Sequence, residues 1–224
     1  RNISCSSSRL YFSTSSSSSG VRSKLAGTFS RYSGSVNQGI NTGTKPRDLV
    51  ASGSALTISA WLKSSITSSQ YVLGSYDFGT NPRERFFFTV ASNQIVIGLG
   101  DGSSSISATI PTTQWYNVSV TFDGSTTVEA YINGSSQGTA SINNTNWNTT
   151  NLNVLIGAYN DNRYGASGFF SGFIDEVAIF DTALTAGQIF NDLYQPTSTA
   201  TNKTADIANN PNLPTPVAWY RMGD

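Results

Sequence analysis

The residues best suited to do chemistry are few, and most of them fall in two short stretches. Tyr76-Asp77-Phe78 and Tyr159-Asn160-Asp161-Asn162-Arg163-Tyr164 combine aromatic rings with carboxylates, amides and a guanidinium. Rings offer flat apolar platforms and planar polar groups fix hydroxyls, a combination suited to sugar recognition. Both stretches read as loops, where binding groups concentrate. Arg83 and Arg85 flank the first. The candidate ligand-binding residues are therefore Tyr76, Asp77, Arg83, Tyr159, Asn160, Arg163 and Tyr164, with a glycan as the expected ligand. An ordinary Tyr/Arg-rich loop or a subunit contact is the competing reading of the same stretches. Asp77, Asp101 and Asp161 are candidate calcium ligands, because a hard cation needs several oxygen donors at once. Their spacing follows no ligand motif, and Asx residues in loops also close turns.

Other chemistries lack their parts. The chain has no His, so neither a His-based nucleophile system nor a His-ligated metal site can be built. Cys5 is its single cysteine, which excludes an intrachain disulfide and a thiolate zinc cluster. Glycoside hydrolysis requires two carboxyl groups on one surface, about 5 Å apart in retaining enzymes. Asp175 and Glu176 are adjacent, and neighbouring side chains on a strand face opposite ways. The remaining glutamates, Glu84 and Glu129, stand apart in sequence. The pair is expected to hold loop amides near a helix. No enzymatic activity is expected.

These residues need a scaffold, and the composition specifies its type. The chain has 224 residues, enough for one large β-sandwich. Charged residues make up only 12%, about half the usual share, and Ser, Thr, Asn and Gly take their place. Twelve Phe, ten Tyr and four Trp supply apolar area for a core. The formal net charge is zero and no dense basic run occurs, so neither nucleic acid nor a membrane is an expected partner. No stretch is long and apolar enough to span a bilayer.

Period-2 alternation marks the strands. In 55–63, Leu56, Ile58, Ala60 and Leu62 alternate with Thr57, Ser59, Trp61 and Lys63. Further strands are expected at 70–76, 85–91, 94–99, 115–122, 127–132, 152–158, 173–180 and 217–222. Asp123-Gly124 and Asn133-Gly134 supply the positive φ of tight turns. Thr185 and Gln188 fit a capping box, with Leu184 and Ile189 as a hydrophobic staple, so one short helix is expected near 186–194. Many short strands with turns between them make an all-β, antiparallel two-sheet jelly-roll sandwich. Three regions are expected: a Ser-rich N-terminal arm (1–24), the sandwich (25–195), and an extended C-terminal strap with a terminal strand (196–224).

Four segments resemble laminin G-like domains of the concanavalin A-like lectin/glucanase superfamily: Leu56-Thr-Ile-Ser-Ala-Trp61, Trp115-Tyr-Asn-Val-Ser-Val-Thr-Phe-Asp-Gly124, Val128-Glu-Ala-Tyr-Ile-Asn-Gly134 and Phe173-Ile-Asp-Glu-Val-Ala-Ile-Phe-Asp-Thr-Ala-Leu184. They occur in the family's order over residues 55–194, with Asn117 where the family often has His; residues 27–45 would supply the first strand. The resemblance implies a concanavalin A-like jelly roll and calcium as the usual ion. It also includes glucanases, whose E-x-D-x-x-E-like run is missing here. The closing Ala218-Trp-Tyr-Arg-Met-Gly-Asp224 resembles a segment of phage structural proteins. A virion or extracellular surface role follows as the leading expectation, of the capsid decoration or tail-fibre type, with neighbouring subunits as partners gripped by the arm and strap. A lectin-like adhesion module that binds host glycans is the alternative.

Overall fold

The computed structural model describes residues 9–12, 24–26, 39–64, 68–79, 84–143, 145–147, 151–195 and 206–221. Two β-sheets face each other. In chain order the strands are β1 (Arg9–Phe12), β2 (Lys24–Ala26), β3 (Ile40–Asn41), β4 (Leu56–Ser64), β5 (Gln70–Asp77), β6 (Glu84–Ala91), β7 (Gln94–Gly100), β8 (Gly102–Ser107), β9 (Tyr116–Phe122), β10 (Thr127–Ile132), β11 (Ser135–Ser141), β12 (Leu155–Ile156), β13 (Tyr159–Asp161), β14 (Gly165–Ser167), β15 (Gly172–Phe180) and β16 (Ala218–Tyr220). The first sheet runs β11-β10-β9-β4-β15-β16-β1-β2, and the second β14-β13-β5-β6-β7-β8, with β12 joining β3 to β5. Helix α1 (Pro46–Leu49) precedes β4, and α2 (Ala186–Gln188) continues into a π-helical turn, Ile189–Tyr194. The all-β two-sheet sandwich with one short helix near 186–194 is thus what the alternation predicts.

The alternation also decides which side chains enter the core between the sheets. Ile58, Ala60 and Leu62 of β4 and Val118, Val120 and Phe122 of β9 point inward, meeting Phe86, Phe88, Ile95, Ile97 and Leu99 of the second sheet. Trp147 is fully buried at one end, donating its indole N–H to Val50 O at 3.0 Å, with its ring 5.7 Å from Phe86. The outer face of the first sheet has a second apolar layer. There Tyr131, Ala178, Phe180 and Trp219 are covered by Leu184, Ile189 and Leu193 and by Ile207 and Leu213. The capping box at Thr185 forms as the sequence requires, and both staple residues are buried. Asn133 and Gly134, both at positive φ, close a two-residue hairpin between β10 and β11.

Some elements depart from the sequence expectation. The 152–158 strand shrinks to Leu155–Ile156, because Gly157 turns the chain at φ +75°. Strands β8 and β11 were not expected: Gly-Ser-Ser-Ser-Ile-Ser and Ser-Ser-Gln-Gly-Thr-Ala-Ser lack an apolar face. They lie at the sheet edges, where side chains need not be buried. Of 27–45, residues 27–38 lie outside the described residues, and Ile40–Asn41 supplies a short strand. Asn117 begins an Asn-x-Ser sequon but is buried, its amide donating to Ser59 Oγ and Ala60 O and its carbonyl accepting from Ser119 Oγ.

Candidate functional site

One end of the second sheet carries the aromatic residues. Strand β13 lies parallel to β5, pairing Asn160 with Ser75 and Asp161 with Tyr76, in a sheet whose other pairings are antiparallel. This pairing brings the two stretches together although they are far apart in sequence. Their loops are then stitched through the Asn162 side chain. Phe78 N–H donates to Asn162 Oδ1 at 3.2 Å, and Asn162 Nδ2 donates to Asp77 Oδ1 at 2.6 Å. Asp77 Oδ1 also accepts from Gly79 N–H at 2.8 Å.

A run of stacked groups results. The Arg163 guanidinium lies 3.4 Å from the centroid of the Phe78 ring, Phe78 stacks on Tyr76 at 3.6 Å, and Arg85 lies 5.0 Å from the Tyr76 ring. Tyr76 is 6.3 Å from Tyr159, Tyr159 is 4.4 Å from Tyr71, and Phe87 packs against both Tyr71 and Tyr76. These rings lie outside the inter-sheet core, on the second sheet's other face. Glycines make room for them. A Cβ on Gly98 would fall 2.4 Å from the Phe87 ring, and one on Gly168 the same distance from the Tyr71 ring. Tyr164 completes the group. It is 77% exposed, with the Arg163 guanidinium 5.0 Å from its ring centroid.

The ionisable groups are held in pairs. Asp161 is 2% exposed. Its Oδ1 accepts from Arg163 N–H at 2.7 Å and lies 3.6 Å from Arg163 Nε. Arg85 Nη1 donates to Asp101 O and stands 3.9 Å from Asp101 Oδ1. Burial, reinforced by Tyr159, Tyr76 and Asp161 and opposed by Arg85, pushes the Tyr71 hydroxyl up to about 12. It therefore stays protonated, able to donate a hydrogen bond, throughout the physiological range.

Of the sequence-derived candidates, Tyr76, Asp77, Tyr159, Arg163 and Tyr164 come together here. Asn160 does not join them: on β13 it faces away from its neighbours, and its amide donates to Asn153 O, tying down the preceding loop. Arg83 lies outside the described residues. The proposed calcium set does not converge. Asp101 and Asp161 each face an arginine and Asp77 accepts from an amide and a backbone N–H, and among the described residues no group of three or more acidic, His or Cys side chains could hold a metal. Tyr71 and Phe87 were missed. The signal for Phe87 was present: in Phe86-Phe87-Phe88 the middle ring must face away from the two core rings.

The acid pair is placed differently from its expectation. A bulge between Asp175 and Ala178 interrupts the pairing of β15 with β4, and Glu176 sits in it at φ +50°. Its carboxylate accepts from Trp219 Nε1 at 2.5 Å and Arg221 Nε at 3.3 Å, both in the terminal segment and not in loops near the helix. Burial pushes Glu176 up to about 7, although Trp219 and Arg221 pull the other way.

Comparison with known proteins bears first on the fold. A putative carbohydrate-binding protein from Bacteroides ovatus superposes with a TM-score of 0.55 at 17% identity, covering 81% of this chain and 47% of that one. The chain thus spans about half the length of that protein. The CBM40 module of the Ruminococcus gnavus IT-sialidase, bound to α2,3-sialyllactose, gives 0.57 at 16% identity, covering 71% and 93%. The NanB sialidase from Streptococcus pneumoniae gives 0.56 at 17% identity, covering 72% and 27%. No curated protein matches the sequence. Among the described residues no helix is long and apolar enough to cross a membrane. The laminin G-like motifs, the two facing sheets and a family match over residues 33–190 agree, and the chain belongs to the concanavalin A-like lectin/glucanases superfamily.

Proposed function

We propose that this chain is a glycan-binding module that captures its ligand at the β5–β13 end of the second sheet. One observation carries the reading: the exposed Tyr164 ring stands beside Arg163, whose guanidinium is held over Phe78 by loops stitched through Asn162. An exposed ring on an otherwise polar loop offers a sugar a stacking face, and fixed planar groups around it orient hydroxyls. Preorganised loops reduce the ordering cost of binding. Structurally similar proteins, a putative carbohydrate-binding protein and a module bound to sialyllactose, support the same reading. We infer binding without hydrolysis, since Glu176 is engaged with Trp219 and Arg221.

The assembly role on a virion surface has less support. The terminal segment that suggested it forms β16 in the chain's own first sheet, where Trp219 and Tyr220 are buried. An extracellular setting rests on the hydroxyl-rich, weakly charged composition. A glycan array with the intact chain, with and without chelator, tests the binding reading. Binding is expected in both conditions and should be lost in Tyr164→Ala; a folded protein that binds no glycan refutes it.

A further inference from the structure

The charge arrangement at this end narrows the ligand class, and the argument rests on the glycan-binding reading above. The strongest recognition of a carboxylate uses a guanidinium fork free to donate two parallel hydrogen bonds. Among the described residues at this end, both guanidiniums already face an acid of the same chain. Arg163 is held at Asp161 by the 3.6 Å contact and lies over the Phe78 ring. Arg85 is held at Asp101 through both backbone oxygen and carboxylate, and lies against Tyr76.

An acidic sugar would have to compete with one of these acids for its guanidinium. Displacement at Arg163 would leave Asp161 buried without its cation, a costly outcome because a buried charge needs a partner. Asp161 is the better-buried partner, its Oδ2 already lacking a hydrogen bond, so the guanidinium is the group that offsets its charge. A neutral sugar meets no such penalty. It can stack on Tyr164 and exchange hydroxyl hydrogen bonds with exposed amides such as Asn162 without disturbing either ion pair. We propose that this site selects neutral glycans, built from uncharged sugar units, over sialylated or uronic-acid-containing ones.

The test is a glycan array carrying neutral, sialylated and uronate glycans, followed by calorimetry on the tightest ligand from about 50 mM to about 500 mM NaCl. Neutral glycans should bind, acidic counterparts at least about tenfold more weakly. Affinity should change by less than about twofold with salt, since no net charge is neutralised. Asp161→Asn, which frees Arg163, should gain affinity for acidic glycans; the wild-type salt series decides the matter if that variant does not fold. Preferential binding of sialylated or uronate glycans, or a steep salt dependence, overturns neutral selection while leaving glycan binding intact. Absence of binding to every glycan overturns both.

Discussion

The Glu176 carboxylate accepts a 2.5 Å hydrogen bond from the indole N–H of Trp219, joining a bulge in β15 to the neighbouring short strand β16. Glu176 titrates near 7 in the fold against an ordinary value of 4.5, chiefly because it is buried. For an acid with a raised folded value, the stabilisation is fully present below about 4.5 and is lost as pH rises through about 7. Wild type should therefore lose about 1–3 kcal/mol relative to Glu176→Gln between those limits. Thermal unfolding of both proteins at several pH values measures it; a constant difference across the range refutes the assignment.

Tyr164 is exposed and should matter for ligand alone. Tyr164→Ala should leave the unfolding midpoint within about 0.5 kcal/mol of wild type while weakening glycan binding at least about tenfold. Urea titration and calorimetry on one preparation separate the two effects. Equal affinity would move the site elsewhere.

Gly168 should matter for both. A side chain there meets the Tyr71 ring at 2.4 Å and must adopt φ +63°, so Gly168→Val should cost about 2–4 kcal/mol and displace Tyr71 from Tyr159. Its urea midpoint and glycan affinity should fall together. An unchanged midpoint would mean that the ring has room to spare.

Asn117 links polar groups of two strands and a turn beneath the outer apolar layer: its amide reaches β4, its backbone N–H donates to Asn133 Oδ1 in the turn after β10, and Ser119 of β9 closes the set. Asn117→Ala should cost about 2–3 kcal/mol, because Ser59 and Ser119 each lose a buried partner. Mass spectrometry of the chain made in a glycosylating host should show no glycan at Asn117, since its amide is enclosed. A glycan there would mean modification precedes folding.

The sheets were legible because the inward positions of β4, β9 and β10 alternate without interruption and enter the inter-sheet core, whereas burial of the outward positions, complete in β9, comes from the second apolar layer and leaves no such period. Edge strands β8 and β11 were not, since a Ser-rich strand with a single Ile or Ala carries no apolar period. The candidate site was half legible. Its aromatic and polar residues announce themselves by type, but a parallel pairing between β5 and β13 leaves no local trace, and neither do the glycines that seat Phe87 and Tyr71. Glu176 was misread for a related reason. Strict alternation assigns it a face, whereas the bulge turns it toward Trp219, a residue 43 positions away.

The parallel pairing of β13 with β5 also has a kinetic consequence. Contacts such as Asn162 with Asp77 join residues 85 positions apart, so their loop closes only after much of the intervening chain has become ordered. The three-residue strand β13 brings little buried apolar surface of its own to reward that closure. Recognition therefore belongs to the last-formed and first-lost part of the molecule: on gentle heating, ligand capture should fade while the far-ultraviolet signal of the sandwich persists.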